Sequence, residues 1–133
     1  MFILDTNVIS AARRPERAQK LAAWLYDQPE DVLFLSVITL GEIARGIRQQ
    51  ETVNPDFAAD LHLWLARTET LFADRILPFT AADARVWGQL SAQIGHGGAD
   101  LMIAATALSH DATVVTRNTS DFQPTGAKLL NPF

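Results

Sequence analysis

Asp5, Glu42, Asp100 and Asp121 each adjoin an apolar stretch whose burial would carry the carboxylate to the edge of a sheet. Carboxylates gathered at one place repel one another unless a cation neutralises them. Hard divalent ions such as Mg2+ and Mn2+ take all-oxygen ligand sets of this kind. Phosphodiester hydrolysis is the matching chemistry, because the bond is anionic and its leaving group poor. A metal ion draws charge from the phosphate oxygens and lowers the pKa of a coordinated water. Singly, each acid has an ordinary explanation. Asp5 suits a turn or cap, Glu42 a capping box with Thr39, Asp100 the positive end of a helix, and Asp121 a surface turn. Their joint placement at element ends carries the functional reading.

Composition narrows the class. A chain of 133 residues, 48% hydrophobic and 20% charged, fits one folded domain, here residues 1–133. It has no cysteine, which excludes disulfides, thiolate zinc sites and cysteine nucleophiles and fits a reducing cytoplasm. The net charge of −4 weighs against generic nucleic-acid binding. The four acids equal that whole excess, so with metal bound the rest of the surface is near neutral and an RNA substrate stays open. No apolar run nears the ~20 residues of a membrane span. Met1–Asp5 lacks the basic start and apolar stretch of a signal peptide, so a soluble, cytoplasmic protein is expected.

The elements that must position the acids follow from pattern. Phe2–Leu4 reads as a buried strand ending in the cap-rich turn Asp5-Thr6-Asn7, with a helix beginning over Val8–Ala12. Pro15 suits a first helical turn, and Arg17–Tyr26 forms an amphipathic helix. Val32–Val37 is a second strand, and Thr39 caps the helix that follows, which ends near Gln50. Pro55 opens a helix carrying Phe57, Leu61, Trp64 and Leu65. Arg75–Phe79 is a short strand, and Thr80 caps a helix through Trp87 to Ile94. Gly95–Gly98 is a flexible break before the apolar helix Ala99–Ser109, then come a strand over Ala112–Thr116 and a last one at Leu129-Leu130. Such alternation predicts an α/β fold, a central mostly parallel sheet between helix layers. Ligands of open α/β sheets bind at the carboxyl ends of the strands, an edge all four acids can reach.

The segments Ile3–Asn7, Leu35–Ile43, Ala99–Ala107 and Val115–Phe122, in this order and spanning essentially the whole chain, resemble the PIN-domain nucleases of the VapC type, the toxin halves of VapBC toxin–antitoxin pairs. The resemblance implies a PIN-like three-layer α/β/α sandwich and a Mg2+- or Mn2+-dependent endoribonuclease, with a PIN nuclease of RNA processing or decay as the alternative. It places the catalytic and metal-binding roles on Asp5, Glu42, Asp100 and Asp121, with Thr6, Thr116 and Asn118 in support. It also implies a cognate VapB-type antitoxin, a homodimer or toxin–antitoxin hetero-oligomer, and contact with DNA only through the antitoxin. One departure stands out. The approach to the third acid, Ile94–Ala99, is short and glycine-rich where members of this group often have a longer, proline-containing segment.

Thr116 is placed to hydrogen-bond Asp5 or a metal-bound water, and Asn118 to orient Asp121 or touch a phosphate. Arg117, between two site residues, and Arg45, one turn after Glu42, are the candidate substrate-binding cations, with Arg13 and Arg14 as a rim. Trp24, Trp64 and Trp87 sit in apolar helical patterns that suit core or partner packing better than base stacking.

Overall fold

The computed structural model describes residues 1–133. Its elements run β1 (Phe2–Leu4), α1 (Thr6–Ala12), α2 (Gln19–Asp27), β2 (Leu33–Ser36), α3 (Val37–Gln50), α4 (Pro55–Leu71), β3 (Ile76–Leu77), α5 (Ala81–Ile94), α6 (Ala99–Ser109), β4 (Thr113–Val115), α7 (Thr119–Phe122) and β5 (Lys128–Leu130). The five strands form one sheet in the order β3-β2-β1-β4-β5, every pair parallel. The α/β sandwich expected from the sequence is what the chain adopts.

Parallel sheets are covered on both faces, and this one has a core on each. Successive residues of β1 and β4 point to opposite faces. Leu4 and Val115 join a cluster with Val8, Leu21, Leu35 and Ile47, whereas Ile3 and Val114 join another with Leu101, Ile103 and Phe122. Leu101 and Ile103–Ala107 are all buried, which explains a helix apolar on every side.

From β1 the strand order runs outward to β2 and β3 on one side and to β4 and β5 on the other. The crevice between β1 and β4 is therefore the topological switch point, where ligands bind beyond the carboxyl ends. Leu4 pairs with Val115 there, so Asp5 and Thr116 leave the sheet side by side.

Two expectations change. The second strand ends at Ser36, and Ser36, not Thr39, caps α3, its hydroxyl accepting from the Ile38 N–H at 3.0 Å. Ser36 is still paired with Leu77 in the sheet, so the helix starts where pairing stops. Glu42 then lies in the second turn, beyond the reach of a capping box, and Thr39 is fully buried. The capping box of this chain is Thr80 with Asp83, at the start of α5. The glycine segment is also a built turn. Gly95 ends α5 at φ 99, a left-handed conformation that favours glycine, and a Cβ on Gly97 would stand 2.9 Å from Trp87 Cζ2.

Candidate active site

Asp5 is the N-cap of α1 and only 4% exposed. Its Oδ1 accepts from the Thr6 N–H at 2.8 Å. Its Oδ2 accepts from the Thr116 hydroxyl at 2.8 Å and from Asn7 Nδ2 at 3.1 Å. Burial pushes the Asp5 carboxyl up to about 6. The hydrogen bonds from Thr116 and Thr6 oppose that rise, and the charges of Asp100 and Glu42 add to it. The first strand thus ends in a held but under-compensated carboxylate.

Glu42 projects from α3, and its Oε1 accepts from the Thr6 hydroxyl at 2.6 Å. The same hydroxyl lies 3.2 Å from Thr39 Oγ, so the buried Thr39 backs the Thr6–Glu42 contact. Asp100 enters from the first turn of α6. Its carboxyl is raised by burial and then by the charges of Asp121 and Glu42, with His96 acting in the opposite direction.

Asp5, Thr6, Asn7, Ser10, Glu42, Asp100 and Asn118 wall a pocket of about 270 Å³ without one apolar side chain. A larger hollow of about 400 Å³ is mainly apolar, with Leu4, Ile9, Leu25, Leu33 and Phe72 in its wall, and holds no group of acids. The polar pocket gathers three of the four acids singled out from sequence. No three acids or histidines stand close enough to enclose an ion as they are placed. The oxygen-rich walls, with two carboxyls raised by burial and by neighbouring carboxylate charge, suit a hard divalent cation.

The other expected residues fall differently. Asp121 is exposed on α7 and outside the pocket wall, although its charge reaches Asp100. Asn118 lines the pocket; its N–H donates to Thr116 Oγ at 3.0 Å, and it meets Asp121 through its backbone carbonyl. Arg117 stacks its guanidinium over the Phe133 ring at 4.1 Å, and Arg45 is exposed; neither lines the pocket.

Asn7 and Ser10 were not singled out from sequence as site residues. Asn7 joins the two strand ends: Nδ2 reaches Asp5 and, at 3.3 Å, Thr116, while Oδ1 accepts from the Arg117 N–H at 3.2 Å. The only local signal was its place in Asp5-Thr6-Asn7. Ser10 follows Thr6 and Asn7 by one helical turn on α1, a spacing that offered the same face.

With this geometry established, comparison with known proteins places the chain in a family. The PIN domain family matches residues 2–127. The chain belongs to the PIN-domain family. It is 37% identical to the "Toxin FitB" of Neisseria gonorrhoeae over 100% of this chain and 99% of that one. It is 35% identical to the "VapC ribonuclease Y4jK" of Sinorhizobium fredii, over 100% and 98%. The crystal structure of FitAcB from Neisseria gonorrhoeae superposes with a TM-score of 0.86 at 36% identity, covering 99% of this chain and 98% of the other.

Proposed function

We propose that this protein is a Mg2+- or Mn2+-dependent endoribonuclease and the toxin of a toxin–antitoxin pair, neutralised by a VapB-type antitoxin through which any contact with DNA is made. The observation that carries this reading is the all-polar pocket at the β1–β4 switch point, where Asp5, Glu42 and Asp100 converge in a PIN-domain chain. Relatives that align over their whole lengths are named as a toxin and as a ribonuclease, which supports both halves of the proposal. Solved neighbours include FitAB bound to a DNA fragment, in line with a partnered, DNA-associated form. No helix is long and apolar enough to cross a membrane.

Asp5, Glu42 and Asp100 would hold the ion, with Asp121 joining from the rim. When bound, the ion supplies charge neutralisation at the phosphate and acidifies a coordinated water. The protein's part is to hold the oxygens in place. Thr116 and Asn7 fix Asp5 Oδ2, Thr6 fixes Glu42 Oε1, and Asn118 secures Thr116. Without the ion, burial holds the Asp5 carboxyl up at about 6, so the cation would also serve to keep it ionised. Purified protein incubated with total RNA in Mg2+ or Mn2+ against EDTA tests the proposal. Metal-dependent cutting lost in both Asp5→Asn and Asp100→Asn is the expected result. Cutting unaffected by EDTA, or retained in both variants, overturns it.

A further inference from the structure

The acidic pocket does not end at Glu42. Thr6, Ser10 and Glu42 are shared with a second hollow of about 260 Å³ that continues between α1, α3 and α4. Its remaining wall includes Gly46 and Gln50 of α3 with Phe57 and Trp64 of α4. Gly46 lies in the middle of a 14-residue helix, where glycine costs about 1 kcal/mol relative to alanine. Packing does not account for it, because a Cβ there would meet nothing within 4 Å. Gly46 leaves open space on the wall of this hollow. Beyond, the Arg13 guanidinium sits 5.3 Å from the centre of the Phe57 ring, placing a cation beside the groove's aromatic wall.

We propose that this groove is a nucleobase subsite for single-stranded RNA, receiving an unpaired base of a nucleotide next to the scissile phosphate. The proposal rests on the nuclease reading above and adds where the substrate strand runs. A phosphate held at the acids puts its neighbouring base at the shared wall. The open floor at Gly46 admits the flat ring, Phe57 and Trp64 offer aromatic surface, and the Gln50 amide and Ser10 hydroxyl offer donors and acceptors for its edge. Arg13 is the cation for the next phosphate. Bases bind aromatic platforms whatever their sequence, whereas the polar pair adds preference.

The test compares wild type with Gly46→Leu, which fills the floor, and Gly46→Ala, which keeps most of the space and raises helix propensity. Binding of fluorescein-labelled octaribonucleotides of A, U and C, and of a ribose-phosphate octamer lacking bases, is followed by anisotropy in Ca2+. Cleavage of the same oligomers is followed separately in Mg2+ and Mn2+. Wild type is expected to bind at least one base-bearing oligomer about tenfold more tightly than the abasic one, the scale of one stacked base. In Gly46→Leu that preference shrinks to within about twofold, while Gly46→Ala retains most of it with an equal or higher melting temperature. Equal base preference in wild type and Gly46→Leu overturns the subsite, and is the result a groove used only by a protein partner would give. An intact preference with no cleavage in either metal overturns the nuclease reading and leaves the subsite standing.

Discussion

Asp5 and Asp83 are two buried aspartates at two helix starts, 4% and 1% exposed, and they titrate in opposite directions. Burial is the largest influence on each and raises both. At Asp83 it is outweighed by the nearby Ser109 hydroxyl and by hydrogen bonds from the Thr80 N–H at 3.2 Å and the Thr106 hydroxyl at 3.0 Å, so the carboxyl stays below the ordinary range. At Asp5 the donors Thr116 and Thr6 do not outweigh it, and Asp100 and Glu42 stand on the same side as burial. Burial therefore does not mark a working acid. The mark is a buried carboxylate whose neighbours include other carboxylates and an open polar cavity. Asp83 is a structural group that ties α5 to α6 through Thr106 at 3.0 Å.

The largest separation of the two should come from activity. Asp5→Asn or Asp100→Asn is expected to lower RNA cleavage by at least about a hundredfold, the upper range for disturbing a metal site. Asp83→Asn should stay within a few-fold of wild type. Comparable loss in all three, in a cleavage assay at saturating Mg2+, would break the comparison.

A second separation is in pH. The folded state holds the Asp5 proton more tightly than the unfolded chain does. Its stabilising contribution is complete below the ordinary carboxylate value of 3.8 and is lost as pH rises through about 6. The scale is up to about 3 kcal/mol, since each pKa unit corresponds to ~1.4 kcal/mol. The metal-free melting temperature should fall from pH 5 to pH 7, Mg2+ should restore it at pH 7, and Asp5→Asn should flatten the fall. Asp83 has the opposite sign. Its contribution is present above 3.8 and lost as pH falls through its depressed value.

Asp83→Ala should then cost about 2 kcal/mol in urea unfolding, with no recovery on adding Mg2+, because it removes the capping box and strands the Thr106 hydroxyl. Smaller again, Asn7→Ala should reduce cleavage about tenfold at unchanged fold, as loss of a group supporting a ligand does. An unchanged rate in that variant would remove Asn7 from the site.

Much of this was legible in the residues. Strands buried on both faces read as short apolar runs, and Asp5 and Thr116 stood at the ends of two of them. The acids stood out because a carboxylate beside a buried run is conspicuous, and Asp5, Glu42 and Asp100 line one pocket. The start of α3 was not legible, since Ser36 and Thr39 are both good caps one turn apart. Only the pairing of Ser36 with Leu77 decides between them. Asn7 escaped because its partner Thr116 is 109 residues away, and locally it looks like any turn asparagine. The stacking of Arg117, named from sequence as a candidate substrate-binding cation, was not legible for the same reason: its ring, Phe133, belongs to the far end of the chain.

The crevice between β1 and β4 also has a history in time. The bond from Thr116 to Asp5 spans 111 residues, so the first pocket carboxylate leaves the ribosome long before the strand that secures it. Until β4 emerges, β1 has β2 on one side and nothing on the other. A nascent or prematurely terminated chain thus has acids but no switch-point crevice to hold them. The order of synthesis leaves the pocket unassembled until nearly the whole chain has been made.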